Sequence, residues 1–193
     1  MAESASIKAP VAVRYGLDAA GSVFTVQVFA GGLLSGFGHN PVIGIRDFSG
    51  EVEFTPDDLS RASVRMLIVT RSLAAQGEVS ESNKQEINQM MREQVLEVGR
   101  YPEIVFESKN VTVTRIGEGR YKARIVGNLS LHGVTREAPG MIAEVTIQGN
   151  ELKAQGEFSL KQSDYKINLV SVAGGLLKVK DELKFNFDLV GKS

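Results

Sequence analysis

Alternation of apolar and polar side chains with a period of two recurs along most of this chain, and no other feature constrains its fold as much. In Arg124-Ile-Val-Gly-Asn-Leu-Ser-Leu-His-Gly-Val-Thr135 an extended backbone puts Ile125, Gly127, Leu129 and Leu131 on one face. Arg124, Asn128, Ser130 and His132 fall on the other, and His132-Gly133 supplies a turn. Near the C-terminus Leu183, Phe185, Phe187 and Leu189 alternate with Lys184, Asn186 and Asp188. Strands that are apolar on one face only belong to antiparallel sheets whose one side lines a core or a cavity.

The same reading places strands at 23–29, 48–54, 62–69, 104–107, 111–115, 120–131, 141–147, 152–160 and 183–190, and a short extended piece at 15–17 turned by Asp18 and Gly21. Gly117-Glu-Gly119, Gly149-Asn150 and Gly174-Gly175 punctuate them. One segment breaks the pattern. Residues 82–97 contain neither Gly nor Pro, and Ile87, Met90, Met91 and Val95 recur at helical offsets, giving a single apolar stripe with Ser82 or Asn83 as N-cap and Glu86 placed for a capping interaction. The expected fold is all-β: an extended antiparallel barrel of about eight strands, closed so that no long edge is exposed, with one inserted helix. A flexible tail at 1–14 and a single domain at 15–193 complete the organisation.

Composition narrows the partners. The 22 basic and 23 acidic residues leave a formal charge of -1, which gives no footprint for nucleic acid. The absence of cysteine removes disulfides, thiolate metal sites and a cysteine nucleophile, and two histidines without close-spaced ligand partners suggest no metal. No apolar run approaches the roughly 18 residues of a transmembrane helix. The first ten residues carry neither a basic n-region nor an apolar h-region, so the chain as given is expected in the cytoplasm, and in the periplasm if its N-terminus has been trimmed.

If the interior is hollow, alternation assigns its lining to Phe24, Val26, Val28, Met66, Ile68, Phe106, Leu129, Leu131, Phe158 and Leu160. Leu33, Leu34 and Phe37 sit in the glycine-rich stretch 31–41 and suit a lid or a bend at the rim. The helix stripe of Ile87, Met90, Met91 and Val95 is either ordinary packing or a deformable wall of thioether and aliphatic groups. His39 and His132 each adjoin a glycine or a turn; either ring suits a hydrogen bond to a ligand head group, and His132 equally suits tying its turn to neighbouring backbone. Ser35 and Ser130 are available hydroxyls and Asp47 and Asp164 available carboxylates, but no Gly-x-Ser-x-Gly elbow is present and no catalytic residue is assigned.

The segments Tyr101-Pro-Glu-Ile-Val-Phe-Glu-Ser108, Leu129-Ser-Leu-His-Gly-Val-Thr135, Gly156-Glu-Phe-Ser-Leu-Lys-Gln-Ser-Asp-Tyr165 and Lys180-Asp-Glu-Leu183 follow one another as in the YceI-like family, which the chain resembles from Tyr15 to Leu189. That resemblance implies a lipocalin-like barrel with a helix-bearing crossover and a long apolar molecule inside. The expected function is non-enzymatic binding, sequestration or transport of an isoprenoid or fatty-acyl lipid, with no other cofactor. The alternative is a structural or stress-response module with a filled barrel, whose loop and helix bind a protein partner or a second copy to form a homodimer.

Overall fold

The computed structural model describes residues 11–31, 40–55, 58–78, 80–172 and 177–193. Its strands are β1 (Val13–Leu17), β2 (Val23–Gly31), β3 (Val42–Gly44), β4 (Phe48–Phe54), β5 (Ala62–Val69), β6 (Ala74–Gln76), β7 (Glu103–Gly117), β8 (Arg120–Leu131), β9 (Val134–Glu137), β10 (Met141–Gln148), β11 (Glu151–Lys161), β12 (Ser171–Val172) and β13 (Leu177–Lys192). Every pairing between them is antiparallel. The order β1-β4-β5-β7-β8-β10-β11-β13 returns to β1 through Gly16↔Lys192 and Leu17↔Gly191, closing an eight-stranded barrel.

Three staves of this barrel are broken partway along. β2, β3 and β6 pair in series beyond β1, β4 and β5, so that β1/β2, β3/β4 and β5/β6 each continue one another across a short interruption. Three-residue β3 and β6 are too short to show alternation, and the sequence pattern did not reveal them. The opposite discrepancy occurs in β7: the segments expected as separate strands at 104–107 and 111–115 are one strand. A bulge at Lys109, between the pairs Ser108↔Gly127 and Asn110↔Val126, shifts the inward parity from even to odd numbers. β1 also begins at Val13, two residues ahead of the expected domain boundary.

Tight curvature needs interior positions without side chains, and three inward glycines provide them. A Cβ at Gly127 would overlap the Glu107 carbonyl and lie 2.7 Å from the Phe106 ring; at Gly156 it would meet the Phe187 ring at 2.6 Å, and at Gly50 the Leu17 side chain at 2.8 Å. In each case a large side chain of the neighbouring strand lies across the bare backbone. The turn at the end of β8 is equally specific: Leu131↔Val134 pair across His132 (φ 52°) and Gly133 (φ 72°), the two left-handed residues of a two-residue hairpin.

Asp18 fastens the seam where the sheet closes. Its carboxylate accepts from Ala20 N, Gly21 N and, at 2.7 Å, Lys192 Nζ on β13; Ser22 Oγ accepts from Val190 N at 2.9 Å. The Lys192 contact, followed by the Gly21 amide, holds the Asp18 carboxyl below its ordinary value of 3.8. A lowered folded-state pKa contributes stability that is present above the unfolded value and lost as pH falls through the folded one.

Gly127→Ala lowers stability by more than about 2 kcal/mol in denaturant unfolding, whereas Gly99→Ala, where nothing lies within 4 Å, changes it by less than about 0.5 kcal/mol; equal effects would remove the close-approach explanation. In acid titration, the stability gap between the wild-type protein and Asp18→Asn stays constant at neutral pH and closes below pH 3.8. A gap that does not change with pH anywhere in the acid range would mean that Asp18 ionisation plays no part.

Candidate functional site

Inside the barrel is a cavity of about 620 Å³. Its far end is formed by Phe54 and Tyr121, whose rings meet edge-on at 5.1 Å, with Leu152 and Ala143 beside them. Midway, the directly paired Phe158 and Phe185 stack at 4.6 Å, and Phe24 meets Phe187 at 6.4 Å and Phe48 at 6.0 Å edge to face. Such offset and edge contacts rigidify the wall without consuming the space in front of it.

The helix α1 (Glu81–Met90) covers the other end, continuing as a π-helical turn over Met91–Val95. Its N-cap is Ser80, whose Oγ accepts from Asn83 N at 3.3 Å; the expected caps Ser82 and Asn83 lie inside the first turn, and Glu86 makes no capping bond. Asn88 Oδ1 accepts from Ala75 N at 2.7 Å and ties the helix to β6. The π-turn inserts one residue into the helical repeat, and Leu96 N closes it on Met91 O at 2.8 Å. As a result Ile87, Met90, Met91, Val95 and Leu96 all face the cavity.

Of the residues expected to line a hollow interior, Phe24, Val26, Val28, Met66, Ile68, Phe106, Leu129, Leu131, Phe158 and Leu160 do so, together with the helix stripe. Leu33, Leu34, Phe37 and His39 lie outside the described residues. His132 is placed elsewhere. Its ring does not line the cavity; its Nε2 is 2.7 Å from Glu97 Oε2 and it packs on Tyr101 at 4.5 Å. The tie expected to reach backbone thus reaches a side chain, because Glu97 at φ 45° turns the chain out of the helix and toward the β8–β9 hairpin. The contact clamps the end of the helical cover to the barrel rim, while His132 Nδ1 is buried without a partner.

Sequence reasoning passed over the walls contributed by Ile43 and Ile45, by Val113, Tyr121 and Ala123, and by Leu183, Phe185 and Phe187. The last two groups carry a readable period of two; Ile43 lies within, and Ile45 just after, a strand too short to show one. Polar groups reach the cavity surface sparsely. Asn83, Glu86 and Lys178 do so from exposed positions at the helix end, Ser63 from an exposed position on β5, and Gln162 from within the wall, where it is only 4% exposed. Among the described residues no group of three or more His, Asp or Glu side chains is placed to hold a metal ion, and no helix is long and apolar enough to cross a membrane.

A closed antiparallel barrel with an apolar cavity under a helical cover defines a lipocalin-like container. The chain belongs to the YceI-like family, whose domain model matches residues 15–191. It is similar to the crystal structure of Burkholderia cenocepacia BcnA, at 19% identity and a TM-score of 0.68, over 90% of this chain and 98% of that one. It is also similar to a polyisoprenoid binding domain from Saccharophagus degradans implicated in plant cell wall breakdown, at 17% identity and a TM-score of 0.65, over 93% and 98% of the two chains. The Campylobacter jejuni YCEI protein follows at 15% identity and a TM-score of 0.54, over 78% and 84%. No curated protein matches the sequence.

Replacing His132 separates its two roles. Both variants lose the tie to Glu97 and the packing on Tyr101; Asn suits the left-handed turn, so His132→Asn is expected to cost about 1 kcal/mol or more, and His132→Ala a further backbone strain of about 1 kcal/mol. Thermal unfolding of both variants checks the order; His132→Asn being the worse of the two would contradict it.

Proposed function

We propose that this protein binds a long apolar chain, an isoprenoid or fatty-acyl lipid, inside its barrel, and sequesters or carries it without chemical change. The observation that carries this reading is the continuous apolar lining from Ile87 and Met90 at the helix to Tyr121 and Leu152 at the far end. A cavity of about 620 Å³ is many times the space that one water needs, so it has room for a chain rather than for a single small group. Each buried methylene contributes about 0.8 kcal/mol, so a chain of a dozen or more carbons offsets an association cost of about 4 to 15 kcal/mol. The polyisoprenoid binding described for the Saccharophagus degradans domain supports the same ligand class. Catalysis has less support, since the lining is almost wholly apolar.

The hollow interior also weighs against the alternative of a filled barrel acting only as an interaction module. Organic extraction of the purified protein followed by mass spectrometry is expected to release one enriched long-chain lipid. Ala154→Leu, which adds volume at the wall, is expected to shift the recovered species to shorter chains while the barrel stays folded. Recovery of no lipid, and failure of added long-chain lipid to bind, would contradict the proposal. Native mass spectrometry of the same sample also tests the alternative: a dimer or partner mass without lipid would favour it.

A further inference from the structure

Apart from the Tyr121 hydroxyl at the far end, which accepts from Arg115, Gln162 is the one side chain with a polar group buried in the cavity wall among the described residues. It follows β11 in a 3-10 turn over Gln162–Tyr165, and its Nε2 donates to Lys180 O at 3.0 Å. Lys180 lies where the β13 register shifts between Val179 and Leu183, so that carbonyl is free to take a side-chain donor. Asp181 in the same shift accepts from Ser163 N and Ser163 Oγ, which holds the turn and with it Gln162 in place. The bond to Lys180 also fixes which end of the amide is which, because the flipped amide would set two oxygens against each other.

That leaves Oε1. It accepts a hydrogen bond from no described residue, yet it is not sealed from solvent-sized contact as His132 Nδ1 is. The open space next to this side chain is the cavity it lines. An amide oxygen there presents lone pairs only, and a ligand group that also offers only lone pairs, such as a ketone, an ether or a phosphate oxygen, leaves both unpaired. A hydroxyl donates to it. The charge of the lining agrees: among the described residues one cation, Lys178, and one carboxylate, Glu86, give no net pull on an ionic head group.

Resting on the lipid-binding reading above, we infer that the ligand is a long-chain alcohol whose terminal hydroxyl donates to Gln162 Oε1, with its chain running toward Tyr121 and Phe54. Gln162 is then the specificity-determining residue of the site. The test is a competition between geranylgeraniol, its methyl ether and the hydrocarbon of equal length, read as bound fractions. The wild-type protein is expected to prefer the alcohol over the ether by about tenfold, and Gln162→Leu and Gln162→Met to reduce that ratio to near one. Because the ratio is taken within each variant, a general loss of stability does not mimic the result. Equal binding of alcohol and ether by the wild-type protein, or a preference unchanged in either variant, would overturn the assignment and leave the lipid-binding reading intact. Failure of all three probes to bind would overturn both.

Discussion

Eight strands enclose space only if the sheet meets itself, and the final strand makes that meeting. β13 pairs with β11 along one edge and with both β1 and β2 along the other, so one continuous strand closes a ring whose opening staves are all interrupted. Around an eight-stranded barrel the interior is just wide enough to be filled by side chains or to hold one small ligand. Here the balance tips toward a cavity because many inward positions are small. Ala123, Ala143 and Ala154 line the space, and Gly50, Gly127 and Gly156 present no side chain at all. Phe106 and Phe187 lie across Gly127 and Gly156, and Phe158 and Phe185 stack on each other along the wall, which leaves space in front of them.

The cover depends on the same economy of contacts. α1 is held at its start by Ser80, to β6 by Asn88, and at its exit by the Glu97–His132 pair. Between these fixed points the groups that face the cavity are mostly flexible or aliphatic, among them Met90 and Met91. Unbranched thioether side chains adapt to irregular shapes, which suits a wall against chains of differing unsaturation and branching.

Much of this was legible in the sequence because a strand with one wet face and one dry face writes its orientation into every second residue. Leu129, Leu131, Phe158 and Leu160 were assigned inward from that rule alone and do face inward. Legibility failed where the period is broken or too short. Lys109 adds a residue to β7 and splits one strand into two apparent ones, while β3 and β6 contain three residues each. The helical stripe was visible, but its π-turn was not, since the extra residue is accommodated by a hydrogen-bond shift rather than by any particular side chain. His132 showed the limit of local reasoning: the turn was readable from His-Gly, and its partner Glu97, 35 residues away, was not. Gln162 gave no signal, because a polar residue after a strand ordinarily faces water.

The central claim is that the interior is a container whose affinity comes from chain burial. Calorimetric titration with a homologous series of long-chain alcohols measures this directly. The account predicts that binding strengthens by about 0.8 kcal/mol per added methylene and levels off once the chain outgrows the cavity of about 620 Å³. Binding that is absent throughout the series, or that does not change with chain length, would contradict it.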